Sequence, residues 1–188
     1  MKDQCYEMAT KLAELRRVLD VYRGMFELPE DAAAIAGPFP EIAGAIRKSL
    51  SVHLLSGCAA LFTDPAKTNK DENMSFQNLI ANFPPGLPAQ AQTEWAKIEA
   101  IAAGMNLKGF RNKYVAHFGL LEHLIDAPAV EQGITSEKLH ELLVAGESLI
   151  NLIIRIPGVY QPGTVFTFYQ PIPASRSTAP FLRQLSRI

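Results

Sequence analysis

The sequence has only 2 cysteines, 1 tryptophan and no surplus of either charge, and each shortage closes off a class of function. Cys5 and Cys58 cannot build the disulfide framework of a small secreted scaffold. Nor do they form the closely spaced ligand pairs of a structural zinc site. Both fall within apolar helical patterns and read as small buried hydrophobes. Lys and Arg number 18 and Asp and Glu 19, a formal net charge of −1. With no global basic field, any binding of nucleic acid has to rest on a local patch. No run of about 20 residues is predominantly apolar, so no membrane span is expected. The opening Met1-Lys2-Asp3-Gln4 lacks the apolar core of a secretory signal, which makes a cytoplasmic location the expectation.

The common site signatures are missing too. There is no Gly-rich phosphate loop followed by Lys, and His140-Glu141 lacks the second His of a zinc-protease helix. Ser56 has no nucleophile elbow around it. His117 and His123 would lie about 9 Å apart along a helix and on different faces, too far for one metal ion to bridge. No metal site and no cofactor are expected. His53 lies on the apolar side of its helix and reads as a satisfied core histidine, while His123 and His140 read as surface positions.

What is present is ordinary globular material: 188 residues, 48% hydrophobic and 20% charged, enough for one domain with a sizeable core. From Lys2 to Phe26 the residues Cys5, Met8, Leu12, Leu15, Leu19, Tyr22 and Phe26 recur every three or four positions, an amphipathic helix that Pro29 ends. Pro29 to Pro40 is a linker in which Glu30 to Ala36 can form a turn of helix. A second long helix runs from Pro40 to about Phe62 along the row Ile42, Ile46, Leu50, Leu54, Cys58 and Leu61, closed by Asp64-Pro65. Ala66 to Asn73 is polar and reads as a solvated loop. Ser75 caps a short helix up to Phe83, and Pro88 opens the next, which carries Ala91, Trp95, Ile98 and Ala102. The chain restarts near Asn106-Leu107-Lys108. Thr135 or Ser136 caps a last helix through Leu139, Leu142, Leu143, Leu149, Ile150 and Ile153. Gly146 lies on its apolar face, where it lets a neighbouring helix approach closely.

The expected fold is therefore all-α, an antiparallel bundle of about five helices over residues 1–157. Residues 158–188 form a Pro-rich, extended arm with Arg176, Arg183 and Arg187 and no acidic residue. Such an arm cannot form its own core, so it packs on its own bundle, swaps onto a partner subunit or stays mobile; its aromatics favour packing.

Chemistry concentrates in Arg111-Asn112-Lys113-Tyr114-Val115-Ala116-His117. On a helical wheel Phe110, Tyr114, Phe118 and Leu121 form a buried stripe, with Arg111 just outside one edge and His117 just outside the other. An arginine at such a boundary is costly to desolvate unless it meets a carboxylate, a phosphate or an opening in the core. A long guanidinium arm lying across the stripe could approach the imidazole.

Arg111-Asn112, four further residues and His117 resemble the Arg-x(4–6)-His signature of HEPN domains, most closely the abortive-infection U-type branch. The likeness covers roughly residues 1–155 in helix order and spacing. It implies a helical bundle, usually a homodimer, in which two motifs meet and RNA is cleaved without metal. By that resemblance Arg111 binds the scissile phosphate, His117 acts as general acid or base and Asn112 orients His117 or the phosphate. Lys108 and Lys113 would add charge for the RNA backbone. Tyr114 reads either as core or as a stacking platform for a base. The resemblance also implies a toxin or phage-defence setting with a possible antitoxin protein. The same residues are compatible with a non-catalytic nucleic-acid- or protein-binding module, in which Arg111 is simply paired to a carboxylate.

Overall fold

The first helix, α1 (Lys2–Phe26), carries Cys5, Met8, Leu12, Leu15 and Leu19 with none of their surface exposed. A computed structural model describes residues 2–83, 86–112 and 133–157, with residues 159, 163, 164 and 166. The short α2 (Pro29–Ala36) starts on a proline, whose missing N–H costs nothing in a first turn. It buries Ile35 with Met25 and Ala43 in a small satellite core, beside which Arg47 lies 5.8 Å over the Phe26 ring.

Helix α3 (Pro40–Thr63) also starts on proline and buries Leu54, Leu55, Cys58, Ala59, Leu61 and Phe62. The polar stretch after it is more ordered than a solvated loop. It holds an exposed antiparallel hairpin of β1 (Lys67–Thr68) and β2 (Asp71–Glu72), pairing Lys67 with Glu72 and Thr68 with Asp71. Asn69 takes the left-handed conformation (φ 57°) that the tight turn requires, and asparagine tolerates it better than most residues. The Asn73 amide fastens the hairpin by donating to the Pro65 carbonyl at 2.8 Å and to Thr68 Oγ1 at 2.7 Å.

Ser75 caps α4 (Phe76–Ala81), its hydroxyl accepting from the Asn78 amide. The Phe76 ring stacks on Phe62 at 5.1 Å and tilts toward Trp95 at 6.2 Å, which ties α4 to α3 and α5 (Ala89–Gly104). The four-residue α6 (Leu107–Phe110) follows, and the last described helix is α7 (Ser136–Ile154). Thr135 is its cap, accepting from the Lys138 amide at 3.2 Å.

The fold is all-α apart from the hairpin, with seven helices among the described residues. Helix α1 packs against α3 and α7, and α5 packs against α7 and α3. Two glycines permit close approaches between helices. A Cβ on Gly57 of α3 would come within 2.6 Å of Leu15, and one on Gly146 of α7 within 2.9 Å of the Phe62 ring. The core formed there includes Leu12, Leu15, Leu54, Leu61, Leu142 and Leu149. Each fully buried leucine adds about 1.5–3 kcal/mol over an exposed one. None of the described helices is long and apolar enough to cross a membrane. Within the arm, the Phe166 amide donates to Asn151 Oδ1 of α7 at 3.3 Å and its ring meets Tyr6 of α1 edge-on at 6.4 Å.

Candidate functional site

Helix α5 ends at Gly104, and two residues later Asn106 adopts left-handed angles (φ 46°, ψ 40°) that turn the chain sharply. Gly109 lies against this turn: a Cβ there would come within 2.5 Å of the Asn106 side chain, so a larger residue would displace it. Leu107 and Phe110 are buried and hold α6 against α3. The next residue, Arg111, is thereby delivered to the C-terminal end of α3. At Arg111 and Asn112 the backbone widens to π-type winding, a local departure often found at functional positions.

The carboxylate that Arg111 meets is Asp64. Nη1 donates to Asp64 Oδ1 at 2.6 Å, across 47 residues of sequence. Asp64 is the residue after α3, held extended (ψ 142°) ahead of Pro65, so its side chain leaves the helix end rather than following its surface. Asn112 supplies the other anchor, its Oδ1 accepting from Arg111 Nε and Nη2 at 3.3 Å each. An ideal wheel turns Asn112 away from the site; instead it steers the guanidinium itself. The Arg111 and Asp64 side chains remain 24% and 21% exposed. A guanidinium has five N–H donors. These contacts use one on each nitrogen, leaving one on each terminal nitrogen without a described partner.

Lys108 projects from α6 as an exposed residue. Lys113, Tyr114 and His117 lie outside the described residues, and so does any approach of His117 to Arg111. Sequence reasoning used Asp64 only as a helix stop; no local spacing links it to Arg111, and a stop residue carries no signal of a long-range ion pair.

His53 lies at the surface. It is not a satisfied core histidine: its side chain is 43% exposed and its Nε2 lies 2.6 Å from Glu14 Oε1. Its neighbours Leu54 and Leu55 take the core-facing positions. Glu14 also accepts from Lys11 Nζ at 3.0 and 2.9 Å, and that bond is the main cause that holds its carboxyl below the usual range. His140 is half-buried rather than a free surface residue. Burial, then the Arg16 and Arg23 charges, push its imidazole below the ordinary 6.5, while Asp20 pulls the other way. On the same helix, Glu147 lies 3.8 Å from Arg16, and burial raises its carboxyl above 4.5 against the pull of Arg16.

The family model HEPN_AbiU2, described as AbiU2, matches residues 4–169. The chain belongs to this HEPN-like abortive-infection family. The AbiU2 span includes Asp64 and Arg111 and runs past α7 into the arm, farther than helix order alone suggested. Comparison with curated proteins and with solved structures returned no match. Membership makes this a HEPN-like domain of a phage-defence family.

Proposed function

We propose that this AbiU2 domain is a metal-independent endoribonuclease. The observation that carries the reading is the Arg111 guanidinium, oriented by Asp64 and Asn112 yet partly exposed and with N–H groups that no described residue takes up. A planar fork held this way suits a phosphodiester, and fixing its direction before substrate arrives lowers the entropy cost of engaging it.

In this reading Arg111 neutralises the charge that grows on the non-bridging phosphate oxygens. His117 transfers protons. Removal of the 2′-hydroxyl proton lets that oxygen bond to phosphorus while the bond from phosphorus to the 5′-oxygen breaks. The leaving oxygen takes up a proton, and the products are a 2′,3′-cyclic phosphate and a 5′-hydroxyl end. The nucleophile belongs to the RNA, so no metal-bound water is needed. Lys108 and Lys113 hold flanking phosphates, Tyr114 stacks a base, and a homodimer brings two motifs to one cleft. An antitoxin protein would act by covering that cleft.

The second reading is a non-catalytic nucleic-acid- or protein-binding module. It is favoured by the short Arg111–Asp64 bond, which already compensates the guanidinium.

The deciding experiment incubates the full chain with mixed single-stranded and transfer RNAs in excess EDTA, beside folded His117→Ala and Arg111→Lys variants. The expected result is cleavage by the native chain, lowered about 10²–10⁴-fold by His117→Ala. Lysine keeps the charge of Arg111 but loses the fork, so a comparable loss is expected there. No cleavage, or equal cleavage by all three, would overturn the enzyme and leave the binding module.

A further inference from the structure

Away from Arg111, the face shared by α1 and α3 holds a groove of about 610 Å³ lined by Lys11, Lys48, Ser49, Val52, His53 and Ser56, with Gly57 also at its wall. Residues 49, 52, 53 and 56 recur at helical spacing and so form one continuous stripe along α3. Serine and glycine there leave the trough open, and Val52 gives it an apolar patch. The volume falls within the range of small-molecule sites and far exceeds what an inorganic ion fills.

The polar groups around this trough are unevenly satisfied. Glu14, beside it, already binds both Lys11 and His53. Lys48 is half-buried and has no ion pair to a described residue, and His53 Nδ1 has no described hydrogen-bond partner. Ser49 donates to the Ala45 carbonyl at 2.8 Å, which leaves its lone pairs free to accept, and Ser56 makes no described hydrogen bond. Lys11, Lys48 and His53 thus line a trough whose lining residues include no acidic side chain. An ammonium without a carboxylate partner gains a charge-assisted hydrogen bond when an anion arrives.

We infer that the α1–α3 groove is a binding site for a phosphate ester, with Lys48 and His53 Nδ1 on the phosphate and the organic remainder lying over Val52 and Gly57. Lys11 stays with Glu14, which keeps His53 Nε2 engaged and leaves Nδ1 for the ligand. Nothing in this inference depends on ribonuclease activity. Two sources carry the same chemistry, a free mononucleotide or one nucleotide of an RNA strand, and both can be offered.

The test titrates the full-length chain by calorimetry with inorganic phosphate, with adenosine monophosphate and with a short single-stranded RNA oligonucleotide. The same titrations are run on Lys48→Ala and Lys48→Arg, each checked for an unchanged thermal midpoint. Saturable binding of the mononucleotide, weakened about tenfold in Lys48→Ala and restored in Lys48→Arg, is the expected result. Inorganic phosphate should bind more weakly because it leaves Val52 uncovered. If only the oligonucleotide binds, with the same response to Lys48, the site stands and its source is RNA. Absence of binding by all three probes overturns the inference. So does binding that Lys48→Ala leaves unchanged, which would place the ligand elsewhere, Arg111 included.

Discussion

His140 sits where α7 faces α1, with Arg16, Asp20 and Arg23 opposite and Glu147 two turns along its own helix. Because the folded chain holds its imidazole below 6.5, the unfolded chain binds the proton more readily. Stability should therefore be fully present above pH 6.5 and fall as the pH drops through the lowered value. Glu147 works in the opposite sense. Its raised folded value means that lowering the pH toward 4.5 relieves the penalty of keeping a half-buried carboxylate charged. The urea midpoint of the native chain should be lower at pH 5.5 than at pH 7.5. His140→Gln should flatten that difference, and an unaltered difference would remove His140 as its source. The pairing of Arg111 with Asp64 differs in kind, since it lies in a partly exposed site and directs a group more than it holds the fold.

Two glycines in helices should respond to alanine with opposite signs. At Gly146 the new methyl would meet Phe62 at 2.9 Å and Leu12 at 3.1 Å, and Phe62 is held by its stack on Phe76. The expected cost is about 1–3 kcal/mol despite better helix propensity. Gly44 in α3 has nothing within 4 Å of its would-be Cβ, so Gly44→Ala should stabilise by about 0.5–1 kcal/mol. Denaturation midpoints of both variants check the pair, and a stable Gly146→Ala would show that Phe62 can yield. Most elements were legible because their signals are local: the α1 periodicity, the Ser75 and Thr135 caps, the proline opening α3. The α3 row was less so. Steps of four residues drift about 40° each on a helix. Ile42 at one end is accordingly 56% exposed while Leu61 at the other is 2% exposed. The same drift put His53 on the wrong side. The hairpin after α3 and the Asp64–Arg111 bond could not be read, since a polar composition suits loop and hairpin alike and an ion pair across 47 residues leaves no periodic trace.

One continuous core joins α1, α3, α5 and α7, and it also takes in Val159, with Phe166 packed against it. The AbiU2 match ending at residue 169 accords with this, because Val159 and Phe166 of the arm pack on the bundle's core. That interior encloses both sulfur atoms. Burial pushes Cys58 up to about 12 and Cys5 up to about 11. A thiolate is the reactive form, so neither should meet an alkylating reagent until the chain opens. Cys5, near the start of α1, should label through local fraying, and Cys58 only at the pace of global unfolding. Single Cys→Ser variants followed by mass spectrometry would separate the two rates, and prompt labelling of native Cys58 would contradict the burial. The pair then serves as an internal clock for the molecule, slowed by whatever ligand holds the bundle shut.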